Sequence, residues 1–388
     1  MQRPQVIRGL GIALALNFSL GVAQVPATGN SAPSQSEPIP YRLVEKELSV
    51  PMASALPGGL DVLEVYFTRP GKQPLVVLTH GSSPEASERA HVTPWSQINE
   101  ARWFARRGYF VMVVVRSGYG RSGGRQDGLS GGCRTSRGSF TEVGEASTQD
   151  LRAVINYAQK LPDVDATTII SAGVSSGGFA QVALSADPPP GLKAAINFAG
   201  GRGGDGHENN CNLDGVIEAF RSYGKAAHKH GDLPMLWIYA QNDHWFPPAM
   251  AQQFEAAYTK AGARVQFLMM PPDGEDGHHL YAHVSVWSDS VDAYLKGLNL
   301  LPLGDKVFPA PEPPDVPMPA GLTEKDSATW KRFLLAAPYK TLAADENGAL
   351  SIAAAGFDQS LADDDAKARC KKAGGNRCTI IAKTPGMK

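Results

Sequence analysis

Residues 41–300 predict an α/β domain with a mostly parallel sheet covered by helices on both faces, followed by a small α+β unit. Three observations carry this expectation. Short, wholly apolar runs such as Leu75-Val76-Val77-Leu78-Thr79 mark strands buried on both faces. These runs alternate with amphipathic helical patterns, an order that produces parallel pairing through helical crossovers. Finally, Gly173-Val174-Ser175-Ser176-Gly177 separates the β-branched run Thr167-Thr168-Ile169-Ile170-Ser171-Ala172 from a helical stretch beginning Gly178-Phe179-Ala180. Strand, Gly-x-Ser-x-Gly, helix describes a turn so tight that small residues must flank the serine, which is pushed out over the end of the sheet.

Taken in order, the chain opens with Arg3 and Arg8 ahead of an apolar run from Leu10 to Leu20 and the small residues Gly21-Val22-Ala23. This is the layout of a signal peptide over 1–23, too short to persist as a membrane span, and it places the protein in the periplasm or outside the cell. Residues 24–40, rich in Pro and Ser, form a disordered tether. Residues 41–51 and 60–68 alternate apolar and polar positions and predict an antiparallel pair joined at Pro57-Gly58-Gly59. Buried strands are predicted at 75–79, 110–115, 192–198 and 233–239, with a further strand at 265–269. Helices are predicted at 95–107, closed by Gly108, and at 145–161, 249–261 and 284–298.

Residues 301–321 carry so many prolines that neither helix nor sheet interior fits, and they form a linker or strap. Residues 322–388 form the small C-terminal unit, with helices over 323–335 and 362–372 and a strand over 378–382. Four cysteines in an exported chain suit two disulfides. The nearness of Cys370 to Cys378 pairs those two and leaves Cys133 with Cys211, although four cysteines permit three connectivities. Zinc is disfavoured because no Cys-x-x-Cys or useful His spacing exists. A formal net charge of −1 gives no reason to expect nucleic acid as a partner.

The serine at the tight turn implies nucleophilic chemistry, which needs a base and a group to orient it. Two further Gly-x-Ser-x-Gly matches, at Ser122 and Ser130, lie in one glycine-rich stretch without a flanking strand and helix, and read as loop. Asp243 follows the strand ending at Tyr239-Ala240, where a carboxylate can hold an imidazole. His278 stands in the polar loop after the strand ending at Met269 and directly follows Gly277; His279 and His283 are the competing rings. The order Ser175, Asp243, His278 is the one this type of sheet uses. The oxyanion donors are expected at the backbone N–H groups of Ser176 and of Ser82, in the loop His80-Gly81-Ser82-Ser83. His80 reads as a structural hydrogen-bonder, and His228 and His230 as solvated surface. Trp245, Phe246 and Tyr119 are the candidate walls of a substrate pocket.

These motifs resemble those of exported bacterial α/β-hydrolases of the dienelactone hydrolase-like group. The resemblance rests on Pro74–Gly81, on Arg116–Gly124 with its Gly-Tyr-Gly-Arg-Ser core, on Gly173–Gly178, on Asn197-Phe198-Ala199-Gly200-Gly201 and on Asp276-Gly277-His278. It implies the α/β-hydrolase fold over 41–300 and a Ser-Asp-His triad. Dienelactone hydrolases proper carry a cysteine nucleophile where this chain has Ser175, a departure that favours a general serine esterase. The expected function is therefore cleavage of a small carboxylic ester or lactone through an acyl-enzyme, with no metal or organic cofactor. Two rival readings stand beside it. One is a peptidase of the prolyl-oligopeptidase type, which shares fold and residue order; the other is a non-catalytic binding module on a hydrolase scaffold. The C-terminal unit resembles small cysteine-containing domains appended to exported proteins, which carries no activity over.

Overall fold

The computed structural model describes residues 41–52, 58–126 and 139–383. The predicted signal peptide, the tether and Cys133 lie outside the described residues, as does the match at Ser130. Within them, the chain up to Gly297 is built on one eight-stranded sheet of order β1-β2-β4-β3-β5-β6-β7-β8. These strands are β1 (Leu43–Pro51), β2 (Gly59–Phe67), β3 (Gln73–Thr79), β4 (Phe110–Val114), β5 (Val164–Val174), β6 (Leu192–Phe198), β7 (Met235–Ala240) and β8 (Gln266–Met270). The pairs β1/β2 and β2/β4 are antiparallel, and every later pair is parallel. The continuous apolar runs therefore occupy the sheet centre, where Leu75 to Leu78 and Val111 to Val114 are wholly buried.

Helices α1 (Ala86–Ala90), α2 (Ile98–Arg106), α3 (Phe140–Ala158), α4 (Ser176–Ser185), α5 (Leu213–Lys229), α6 (Pro248–Lys260) and α7 (Val284–Gly297) accompany the sheet. Helices α2 and α7 pack together through Trp103, Phe104 and Trp287, while α3, α4, α5 and α6 pack in series. Gly108 closes α2 as expected, at φ 91°. Several boundaries differ from the sequence reading. Residues 95–97 belong to a 3-10 turn, Pro94–Gln97, capped by the Thr93 side chain. Helix α3 starts five residues before the expected 145, because Ser139 and Glu142 form a capping box. Gly144 sits inside α3, where Tyr223 packs so closely that a Cβ would lie 2.0 Å from the phenol oxygen. Helix α5 is capped by Asn212, and Val216, Ala219, Phe220, Tyr223 and Ala227 bury one face.

The proline-rich stretch is a strap. Phe308 is buried against Phe67 and Tyr41, and its backbone exchanges hydrogen bonds with the Arg106 carbonyl and guanidinium. The C-terminal unit carries α8 (Ser327–Leu335), β9 (Lys340–Ala344), β10 (Leu350–Ala354), α9 (Gln359–Lys372) and β11 (Thr379–Lys383), the strands in the order β10-β9-β11. Helix α9 begins three residues before the expected 362 because Asp358 caps it. Cys370 and Cys378 are bonded, joining the end of α9 to β11. Cys211 is also disulfide-bonded. Among the described residues no helix is long and apolar enough to cross a membrane.

Candidate active site

Ser175 lies between β5 and α4 with φ 55° and ψ −121°, a conformation that L-residues rarely adopt. The flanking glycines are needed because backbone crowds the turn from three sides. A Cβ on Gly173 would meet the Gly177 carbonyl at 2.5 Å, and one on Gly177 would meet the His80 carbonyl at the same distance. Gly81, in the loop after β3, approaches to where its Cβ would lie 3.0 Å from Ser175 Cβ. The strained residue is over-determined by hydrogen bonds: its N–H donates to the Phe198 carbonyl at 2.9 Å, and its carbonyl accepts from Phe179 N–H at 2.9 Å.

Asp243 and His278 stand on the loops following β7 and β8, which are neighbours in the sheet. The Asp243 carboxylate is almost wholly buried, with 1% exposure. Its Oδ1 accepts from the Trp245 and Phe246 backbone N–H groups, each at 2.8 Å. His278 Nδ1 lies 3.1 Å from Oδ1 and 3.0 Å from Oδ2. A carboxylate anchored this way keeps the imidazole proton on Nδ1 and leaves Nε2 as the basic nitrogen. The ring is held from its sides by Trp245, stacked at 5.5 Å, and by Phe246, edge-on at 5.4 Å. Asp276, named in the sequence only as part of the Asp276-Gly277-His278 motif, joins the two loops: its Oδ1 accepts from the N–H groups of His244 and His278, each at 3.0 Å. Those hydrogen bonds hold its carboxyl below the ordinary range against the opposing effect of burial.

Ser175, His278 and Trp245 line one cavity of about 440 Å³, together with Gly81, Ser82 and the exposed ring of His279. No hydrogen bond joins Ser175 Oγ to His278 among the described residues, although both line the same cavity. His283 is turned away and paired with Asp273 at 2.5 Å. The N–H of Ser82 and that of Ser176, the first residue of α4, have no protein acceptor among the described residues, and helix geometry leaves the latter unpaired. His80 is engaged at both ring nitrogens, by the Gly81 carbonyl and by Arg116 N–H. His228 is exposed and pairs with Asp232. Ser122 is a tied-down loop serine, donating to the Val115 carbonyl at 2.6 Å and accepting from Asp61 N–H.

Tyr119 is a correction. It does not wall the cavity but is fully buried behind it, where its hydroxyl bonds Ser82 Oγ at 2.8 Å and its ring meets His80 edge-on. The sequence places it near the site; only packing decides which side of Ser82 it occupies. A larger hollow of about 900 Å³ lies between β1, the strap and the C-terminal unit, and none of the predicted site residues line it. Among the described residues no group of three or more His, Cys, Asp or Glu side chains could hold a metal ion.

Residues 92–282 match the model of the dienelactone hydrolase family. The chain carries a dienelactone hydrolase family domain. It is a hydrolase. The matched region takes in Ser175, Asp243 and His278, and it begins after the loop that carries Ser82. Among solved structures, the chain is similar to a presumed dienelactone hydrolase of Klebsiella pneumoniae, with 17% identity over 66% of this chain and 99% of that one, at a TM-score of 0.45. It is also similar to an esterase of Pyrococcus furiosus, with 14% identity over 66% and 93% of the two chains and a TM-score of 0.43. An acylaminoacyl peptidase of Pyrococcus horikoshii matches with 18% identity over 66% of this chain and 41% of that one, at a TM-score of 0.46. No curated protein matches the chain.

Proposed function

We propose that this protein is a serine esterase or lactonase acting on a small carboxylic ester through Ser175, His278 and Asp243. The observation that carries the reading is the buried Asp243–His278 pair opening on the same cavity as a serine held at positive φ. In the proposed reaction, Ser175 Oγ attacks the carbonyl carbon while its proton passes to His278 Nε2. The carbonyl electron pair moves to oxygen, where the N–H groups of Ser82 and Ser176 receive it; one such donor is worth about 10²–10³ in kcat. Collapse breaks the ester C–O bond, and His278 returns its proton to the leaving alkoxide. Water, deprotonated by the same ring, then releases the acid and restores Ser175. Asp243 keeps the ring in the productive tautomer and balances the imidazolium. The chemistry draws on side chains and backbone alone, and a cavity of about 440 Å³ suits a compact substrate.

A fluorophosphonate probe tests the assignment. Wild-type protein is expected to be labelled at Ser175 and to hydrolyse p-nitrophenyl esters or aryl lactones, and both properties should vanish in Ser175→Ala. Labelling that persists in Ser175→Ala would overturn the nucleophile. A protein that neither labels nor turns over would be a binding module, and preference for peptide anilides would make it a peptidase. The proposal includes export through residues 1–23; intact mass of the protein recovered outside the cytoplasm should show cleavage after Ala23.

A further inference from the structure

We infer that Arg116 is the positioning residue of the oxyanion hole, an inference resting on the esterase reading above. Arg116 follows β4 and is 1% exposed. It is not among the residues lining the cavity at Ser175, so it does not reach a substrate there. Its side chain instead bridges the two segments that supply the oxyanion donors. Nη2 donates to Ser176 Oγ at 2.7 Å and to the His80 carbonyl at 3.2 Å, with the Gly81 carbonyl at 3.5 Å. Nη1 reaches Ser147 Oγ on α3 at 3.5 Å.

The importance of these contacts follows from the planarity of the peptide group. The Gly81 carbonyl and the Ser82 N–H belong to one trans unit and point in opposite directions, so whatever holds the carbonyl aims the N–H. Two donors hold it: His80 Nδ1 at 2.5 Å and, more distantly, Arg116 Nη2. Arg116 also sets the His80 ring, because its backbone N–H donates to Nε2 at 3.0 Å and thereby leaves the ring proton on Nδ1, facing the Gly81 carbonyl. The second donor is arranged alike. The Ser175 carbonyl, the other end of the Ser176 N–H unit, accepts from Phe179 N–H at 2.9 Å and Gly201 N–H at 3.3 Å. Arg116 then ties the Ser176 side chain to the His80-Gly81 segment and so sets the spacing between the two N–H groups. A buried cation on the carbonyl side also polarises the amide, making its N–H a stronger donor as charge gathers on the substrate oxygen.

The test uses the full chain with Arg116→Met, Arg116→Lys and Ser176→Ala. Each variant is normalised to competent sites by fluorophosphonate titration, and the readouts are kcat, KM and affinity for a trifluoromethyl ketone that adds to Ser175 as a charged hemiketal. Arg116→Met is expected to lower kcat about 10- to 100-fold, less than outright loss of a donor, with KM within about threefold. Affinity for the ketone should fall by the same factor, because it is the adduct that carries the oxyanion. Arg116→Lys should recover part of the loss, and Ser176→Ala, which cuts one tie but keeps the backbone N–H, should cost about 3- to 10-fold in kcat. A merely structural arginine would lower the folded fraction and leave kcat per titrated site unchanged, and that result overturns the inference. If Arg116→Met does not fold, unchanged normalised kcat in both other variants overturns it equally. Activity surviving in Ser175→Ala would sink the esterase reading itself, whereas a dead Ser175→Ala beside normal Arg116 variants sinks only the present inference.

Discussion

Asp243→Asn replaces a carboxylate that meets three donors: two backbone N–H groups at 2.8 Å and His278 Nδ1 at 3.0–3.1 Å. An amide has one acceptor oxygen and one donor nitrogen. Its oxygen is drawn to the paired N–H groups of Trp245 and Phe246, which turns the amide NH₂ toward His278 Nδ1. Two donors cannot face each other, so the ring moves its proton to Nε2. Nε2 is then no longer free to take the Ser175 proton. Volume and backbone contacts are nearly unchanged, so stability should change little while the base is lost. The corresponding tautomer error in a serine protease triad costs about 10⁴ in kcat, equivalent to about 5 kcal/mol of activation free energy. The assay is kcat/KM on a p-nitrophenyl ester at pH 7.5, with the thermal midpoint as a control. A folded Asp243→Asn enzyme retaining more than a tenth of wild-type activity would refute the argument that Asp243 fixes the tautomer.

Four further outcomes are expected. Asp276→Ala frees the N–H groups of His244 and His278 and should lower kcat about tenfold, with a stability loss of about 1–3 kcal/mol measurable by urea melts. Gly177→Ala forces a Cβ to within 2.5 Å of the His80 carbonyl, and the variant should fail to accumulate or melt far below wild type. Glu100, buried in α2, has its carboxyl pushed up to about 7 by desolvation. The folded state therefore holds a proton that the unfolded chain releases near 4.5, so this contribution is full below that pH and is lost as pH rises through about 7. Thermal midpoints should drop between pH 5 and 8, by the equivalent of about 3 kcal/mol, and Glu100→Gln should flatten the profile. Removing the Cys370–Cys378 bond, which spans a separation of 8 residues, should cost the C-terminal unit about 2–3 kcal/mol in loop entropy. Hydrogen exchange in Cys370→Ser should rise in α9 and β11, leaving β3 to β7 protected.

Much of this protein was legible because the signals are local. The run Leu75 to Thr79 has to be a buried strand wherever it sits, and Gly173 to Gly177 has to be a sharp turn because a side chain on either glycine strikes backbone carbonyl oxygen. Other signals were present but went unread. The capping box of Ser139 and Glu142 and the Asn212 cap ahead of α5 are of this kind. The two strands β9 and β10 are short and rich in alanine, so their pattern is weak, and the pairing of β9 with both β10 and β11 is what makes them strands.

The sequence alone carried the fold class and the sharp turn at Ser175, since apolar runs, helical patterns and the Gly-x-Ser-x-Gly stretch are each signals that span only a few positions. Only the tertiary structure decided that Asp243 meets His278, because that contact requires β7 and β8 to be sheet neighbours although 35 residues separate the two side chains. The same holds for Tyr119 and Arg116, whose roles depend on which side of the His80-Gly81 segment they pack. Long-range packing carries no local periodicity, and that is why these placements could be read from the folded chain and not before.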